Sequence, residues 1–228
     1  MKWLGIETSS PIFSVAVSDG ERILSCLQGE GQGRPSSLLT DLIGQALRQA
    51  GMELAQADAL AISIGPGSFT GLRVGAMTVK TLAWALKKPI QPVSSLEAIA
   101  QNLAASPRDV LVFLDARKGN VYSALFSPGG DGQLARVTED ELLPPGQALE
   151  RIRGSATIVG DGLKRYGQML AGLSGAAKPE AAPADLWCPR ADNVCRLADC
   201  QWPKAKVDDP HRLVPKYLYS QESDITGR

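Results

Sequence analysis

The stretch WLGIETSSPIFSVAVSDGERILSCLQG, Trp3–Gly29, decides the fold. Its opening run, Trp3–Glu7, is short and apolar and closes on a carboxylate. Phe13–Asp19 alternates, with the period of a strand. Asp19-Gly20 is a hairpin turn signal, and Glu21–Gly29 returns as a further strand. The chain therefore opens as a β-meander. Next, RPSSLLTDLIGQALRQAG places Leu38, Leu39, Leu42, Ile43 and Leu47 at helical spacing, with Pro35 and Ser36 in the first turn and Gly51 at the end. Ala59–Gly65 reads as a buried strand. GPGSFTGLRVGAMTVKTLAWAL follows as a loop and helix, and KPIQPVSSLEAIAQNLA as a short strand and another helix.

At Val110 the pattern restarts. Val110–Asp115 is apolar and ends in a carboxylate, as Trp3–Glu7 does. Asn120–Ser127 alternates, Gly129-Gly130 replaces the Asp-Gly turn, and QLARVT returns. ATIVGDGLKRYGQML adds one strand and one helix, GLSGAAKPEAAPAD is a small-residue loop, and the tail from Asp192 holds a helix and an extended end. Two related halves are expected, residues 1–105 and a smaller, partly degenerate 106–228, joined near Ala104–Arg108. This duplicated βββαβα order resembles the two-lobed actin-like ATPase fold (the α/β, RNase H-like fold of actin, Hsp70 and sugar kinases). The resemblance implies an ATP cleft in which acidic residues at the first strand of each half place Mg²⁺ and phosphates.

Composition bounds the function. The chain has 228 residues, 44% apolar and 21% charged, enough for a sizeable core. Lys+Arg and Asp+Glu both number 24, so no basic surplus marks it as a protein that grips RNA alone. No run of about 18 apolar residues exists, so no membrane span is expected. The opening MKWLGIETSS lacks a signal-peptide core, which points to the cytoplasm. The cysteines are Cys26, Cys188, Cys195 and Cys200. Cys195 and Cys200 are five apart on a predicted helix and point in different directions, so zinc held with His211 is disfavoured and small buried hydrophobes are the expectation.

Three motifs could carry chemistry. GPGSFTG lacks the lysine and spacing of a phosphate-binding P-loop, although free N–H groups at a helix start could still meet an anion, and Ser68 or Thr70 could simply cap the helix. Gly71 and Gly75 share one helix face. Each interior glycine costs about 1 kcal/mol against alanine, so another backbone is expected close to that face, from this chain or from a partner. Glu7-Thr8-Ser9-Ser10, a carboxylate followed by hydroxyls at a strand end, suits Mg²⁺ and phosphate or is merely a capped strand end. Asp115-Ala116-Arg117 poses the same choice in the second half. With His211 the only histidine, a Ser-His-Asp or Cys-His site has little support.

GPGSFTGLRVGAMTVKTLAWALKKP followed by PVSSLEAIA, WLGIETSSPIFSVAVSDG at the start and VFLDARKGNVYSALF in the second half are similar to the TsaB (YeaZ) family. The resemblance covers most of Met1–Phe126 and returns at VPKYLY. It implies a non-catalytic partner and activator of TsaD, the enzyme that threonylcarbamoylates the adenosine beside the anticodon (t6A) of tRNAs reading A-starting codons. It also implies an ATP-dependent ternary complex with TsaE, a homodimer as an alternative state, and tRNA contact only through the complex. TsaD holds its metal partly through an H-x-x-x-H pair; the comparable PVSSLEAIA has no histidine. Two departures stand out: RPSS with Pro35 replaces the family's histidine-bearing helix start, and Glu7 replaces a commoner aspartate.

The resemblance assigns a vestigial nucleotide cleft to Glu7, Thr8, Ser9, Asp115 and Arg117, with no cofactor required and at most weak ATP or ADP with Mg²⁺. It assigns partner binding to Leu38, Leu42, Ile43, Gly71, Leu72, Gly75 and Thr78. The alternative is an ATP-dependent small-molecule enzyme of the same superfamily, with Glu7 and Asp115 carrying Mg²⁺.

Overall fold

The computed structural model describes residues 1–31, 33–130, 133–172 and 179–219. The opening meander forms as β1 (Lys2–Glu7), β2 (Ile12–Asp19) and β3 (Arg22–Glu30), all antiparallel. Helix α1 (Pro35–Gln49) then crosses to β4 (Ala59–Ser63), and α2 (Phe69–Leu86) to β5 (Ile90–Val93). Both crossovers bring their strands into parallel pairing, which a hairpin cannot do. The sheet runs β3-β2-β1-β4-β5. Helix α3 (Ser95–Ala100) follows.

Pleating explains the burial of β1. Leu4 and Ile6 face one side, where Leu39, Leu42, Ile43, Ala46 and Leu47 of α1 and Ala76, Val79 and Ala83 of α2 close the core. Trp3 and Gly5 face the other. With helices on both faces, β1 carries apolar residues at nearly every position instead of alternating.

The second sheet repeats the plan in reduced form. Its elements are β6 (Asp109–Arg117), β7 (Asn120–Pro128), β8 (Leu134–Arg136), β9 (Glu141–Leu143), α4 (Pro145–Leu149), β10 (Ala156–Val159), α5 (Leu163–Tyr166) and β11 (Glu180–Ala181). The order β11-β10-β6-β7-β8 mirrors the first sheet, with β9 added beside β7. Helices α4 and α5 have 5 and 4 residues where α1 and α2 have 15 and 18. The fold is thus the α/β, duplicated actin-like one, with a degenerate second half. The sequence reading anticipates β10 and α5 but misses β9, α4 and β11, which are too short to show a period. Gly129-Gly130 stands between β7 and β8 as expected, with Gly129 N donating to Gln133 O at 2.7 Å, while residues 131–132, 173–178 and 220–228 lie outside the described residues.

Helix α6 (Ala191–Gln201) changes the domain division. Val194, Cys195, Leu197 and Ala198 cover the Trp3–Ala16–Ala59–Ala61 face of the first sheet. A Cβ on Gly5 would overlap the Cys195 sulfur and lie 2.9 Å from the Ala191 carbonyl oxygen, so this strand glycine lets α6 approach the sheet closely. The compact units are therefore Met1–Ala98 with Cys188–Pro215, and Ile99–Trp187 with the segment from Lys216. The sequence reading divides the chain at residue 105 and places the whole tail in the second half. Among the described residues, no helix is long and apolar enough to cross a membrane.

Candidate functional site

At the end of β1 the chain buries polar groups. Glu7 and Thr8 are 0% exposed and Ser9 5%. The Ser9 N–H donates to Glu7 Oε1. Glu7 Oε2, Thr8 Oγ1, Ser9 Oγ and Ser63 Oγ are buried without a hydrogen-bond partner among the described residues. Burial pushes the Glu7 carboxyl above its ordinary range, while the bond from the Ser9 amide pulls it back in part.

The start of α2 seals this cluster. Ser68 caps the helix, its side chain accepting from Gly71 N at 3.3 Å, and the Ser68 N–H donates to Ser9 O at 2.7 Å. A Cβ on Gly67 would overlap Ser9 O, one on Gly71 Thr8 O, and one on Gly75 Thr8 Oγ1. The preceding turn is tied down as well: Ser95 N donates to Gly65 O at 3.0 Å and Ser95 Oγ to Pro66 O. The loop and helix are shaped around the chain's own Thr8 and Ser9. Oxygen donors of this kind suit a hard cation, but here they are sealed under the first turns of α2. Residues Glu7, Thr8 and Ser9 as placed do not fit an Mg-nucleotide, whose phosphates need open backbone donors.

The second unit brings Asp115 and Arg117 together at the β6–β7 turn. Arg117 N donates to Asp115 Oδ1 at 2.9 Å, Asp115 N donates to Asp161 Oδ1 at 3.0 Å, and Arg165 lies 3.8 Å from Asp115 Oδ2.

The helix residues assigned to partner binding divide by exposure. Leu42, Ile43 and Leu72 are core residues, and Gly71 and Gly75 are buried against Thr8. Leu38 is half-buried over Gly29, and half-buried Thr78 donates its hydroxyl to Val74 O at 2.9 Å. The glycine face is thus corrected from a partner surface to an internal one. The outward face of α2 carries Phe69 (51% exposed), Arg73, Met77 (61%), Thr81 and Trp84 (69%). Arg73 stacks 3.7 Å over the Phe69 ring. Met77, Lys80, Thr81 and Trp84 line an open groove of about 550 Å³ with Pro210 and His211, and Lys80 Nζ donates to His211 O at 3.4 Å. The sequence reading missed this apolar stripe. Its signal was Phe69, Met77 and Trp84 recurring on one helical face.

Two of the four cysteines, Cys195 and Cys26, are held toward the unreactive thiol. Cys195 is buried, its thiol pushed up to about 12, first of all by desolvation. Burial also raises Cys26. Cys195 faces inward and Cys200 outward from α6. Among the described residues, no three His, Cys, Asp or Glu side chains gather as metal ligands would.

The family described as "TsaD: tRNA N6-adenosine threonylcarbamoyltransferase" matches residues 34–158. The tRNA threonylcarbamoyladenosine biosynthesis protein TsaB of Bacillus subtilis is 27% identical over 227 residues, spanning 98% of this chain and 96% of its own. The protein of that name from Haemophilus influenzae is 28% identical over 229 residues, spanning 96% and 93%. Among solved structures, YeaZ from Pseudomonas aeruginosa superposes with a TM-score of 0.80 at 25% identity, covering 95% of this chain and 99% of that one.

Proposed function

The chain belongs to the tRNA N6-adenosine threonylcarbamoyltransferase family and stands with its TsaB (YeaZ) members, and on that premise we propose that it is a non-catalytic partner and activator of TsaD in forming t6A on tRNA. The observation that carries this reading is the apolar stripe Phe69–Met77–Trp84 standing exposed on α2. Large apolar side chains grouped on one helical face suit a protein neighbour, and a tryptophan among them is a favoured anchor. The sealed cluster under α2 supports the non-catalytic half of the reading. Glu7 is held toward its neutral form and is closed off from phosphates. His211, the only histidine, cannot by itself supply the metal-binding pair that the resemblance attributes to TsaD. In this reading the chain needs no cofactor of its own and acts in the cytoplasm. A TsaE-type ATPase joins the TsaD complex, and a homodimer competes for the same helix.

The test is reconstitution. Unmodified tRNA, threonine, bicarbonate, ATP and the partner enzymes are combined with and without this chain, and t6A is read by mass spectrometry of digested tRNA. Modification should collapse on omission. Equal modification without the chain would overturn the reading.

A further inference from the structure

The second unit gathers exposed cations that lie far apart in sequence. Arg117 and Lys118 occupy the β6–β7 turn, and Lys164 and Arg165 lie in α5; all four are exposed. Asp115 ties the two loops together through its N–H to Asp161 and its carboxylate beside Arg165. Its other carboxylate oxygen accepts from Arg117 N, and Asp161 accepts from Asp115 N, so both acids are turned toward backbone donors of the cluster. Cations outnumber acids here, in a chain of zero formal net charge. Among the described residues, Arg117 and Lys164 make no ion pair.

Two features set this turn apart from a solvated hairpin end. First, Arg117 (φ 64°) and Lys118 (φ 48°) both stand in the left-handed region that glycine or asparagine would occupy at lower cost. Second, tyrosines interleave with the cations. Lys118 Nζ lies 5.9 Å from the Tyr219 ring and the Arg165 guanidinium 5.6 Å from the Tyr166 ring. Tyr219 is itself held to the turn, its hydroxyl donating to Ala116 O at 2.9 Å. Its ring meets Tyr122 edge-on with centroids 6.2 Å apart.

The backbone donors tell which phosphate fits. A terminal nucleotide phosphate is cradled by free N–H groups. Here Asp115 N and Arg117 N are bonded to carboxylates, and Gly162 N donates to Phe113 O at 2.9 Å. What remains is side-chain cations spread over exposed loops beside aromatic rings, which suits successive backbone phosphates of a flexible strand.

We propose that Arg117, Lys118, Lys164 and Arg165, with Tyr219 and Tyr166, form a site for the phosphate backbone of a single-stranded RNA segment. The site gives this chain its own hold on the tRNA, beyond the sequence expectation that RNA is met only through the complex. It rests on the proposed role in tRNA modification.

The test measures binding of unmodified tRNA to the full chain, alone and with its TsaD-type partner, across a salt series. Arg117→Glu/Lys118→Glu should weaken binding about tenfold and flatten the log–log salt slope by about 1–2. Arg117→Gly/Lys118→Gly, which the left-handed turn accepts without strain, should do the same if the first variant misfolds. Unchanged affinity and slope in a folded variant, no salt-dependent tRNA binding by wild type, or tRNA displaced by Mg-ATP from the same residues would each overturn the proposal. Reconstituted modification separates the two claims. If omitting the chain changes nothing, the partner reading has failed. If omission abolishes t6A while the variants restore it with an unchanged KM for tRNA, only the RNA site has failed.

Discussion

Gly71, in the first turn of α2, lies so close to Thr8 at the end of β1 that a Cβ at position 71 would overlap the Thr8 carbonyl oxygen. One turn on, Gly75 stands in the same relation to the Thr8 hydroxyl. The two glycines let α2 settle onto the chain's first strand. Gly71→Ala should therefore lower stability by about 2 kcal/mol or more in urea unfolding, an overpacking cost against rigid backbone. Thr8→Ala removes the hydroxyl but leaves the carbonyl. It should rescue Gly75→Ala and leave Gly71→Ala unrescued, and equal rescue of both would contradict this geometry.

Glu7 sets a pH dependence. Its folded-state pKa is raised, first of all by burial. A carboxyl that prefers to stay protonated in the folded chain contributes stability at low pH, and that stability is lost as pH rises from the ordinary carboxylate range through the raised folded value. Glu7→Gln has no proton to lose. Its Tm relative to wild type should climb as pH rises above the ordinary carboxylate range. A difference that stays flat or falls would mean that Glu7 is ionised in place.

The residues of α1 and α2 should separate cleanly by role. Leu42 is 5% exposed in the core, so Leu42→Ala should cost about 2–5 kcal/mol of stability. Trp84 is 69% exposed, so Trp84→Ala should change stability by no more than about 0.5 kcal/mol while weakening partner association. Denaturation midpoints of the two purified variants check both values.

Asp140 anchors the segment that begins at Lys216. Its side chain is 1% exposed and pairs with Arg136 at 2.8 Å and Lys216 at 2.9 Å. Asp140→Ala leaves two cations without this carboxylate. Because both are partly hydrated, the cost should fall below that of a fully buried pair, about 1–3 kcal/mol. Lys216→Met should cost less, since Arg136 still satisfies the acid.

Much of the fold was legible because it is periodic. The Trp3–Gly29 meander and its restart at Val110 gave the duplication, and Pro35 and Gly51 bracketed α1. What escaped was tertiary. The place of α6 depends on which sheet face stands open, and its one local trace was Gly5 inside a strand. Gly71 and Gly75 announced a close neighbour without saying whose backbone it was. The stripe Phe69–Met77–Trp84 was present in the spacing, but spacing alone does not say which helical face the rest of the chain covers. The cation cluster joins residues 117–118 to 164–165 through the pairing of β6 with β10, which no linear pattern displays.

The most direct measurement is complex formation between this chain and a TsaD-type enzyme by size-exclusion chromatography with light scattering, followed by t6A yield from the same samples. Wild type should form a heterodimer and support modification. Met77→Asp/Trp84→Asp should remain folded, fail to associate and lose modification together. A folded variant that still associates and supports wild-type yield would contradict the claim that the outward face of α2 is where this chain works.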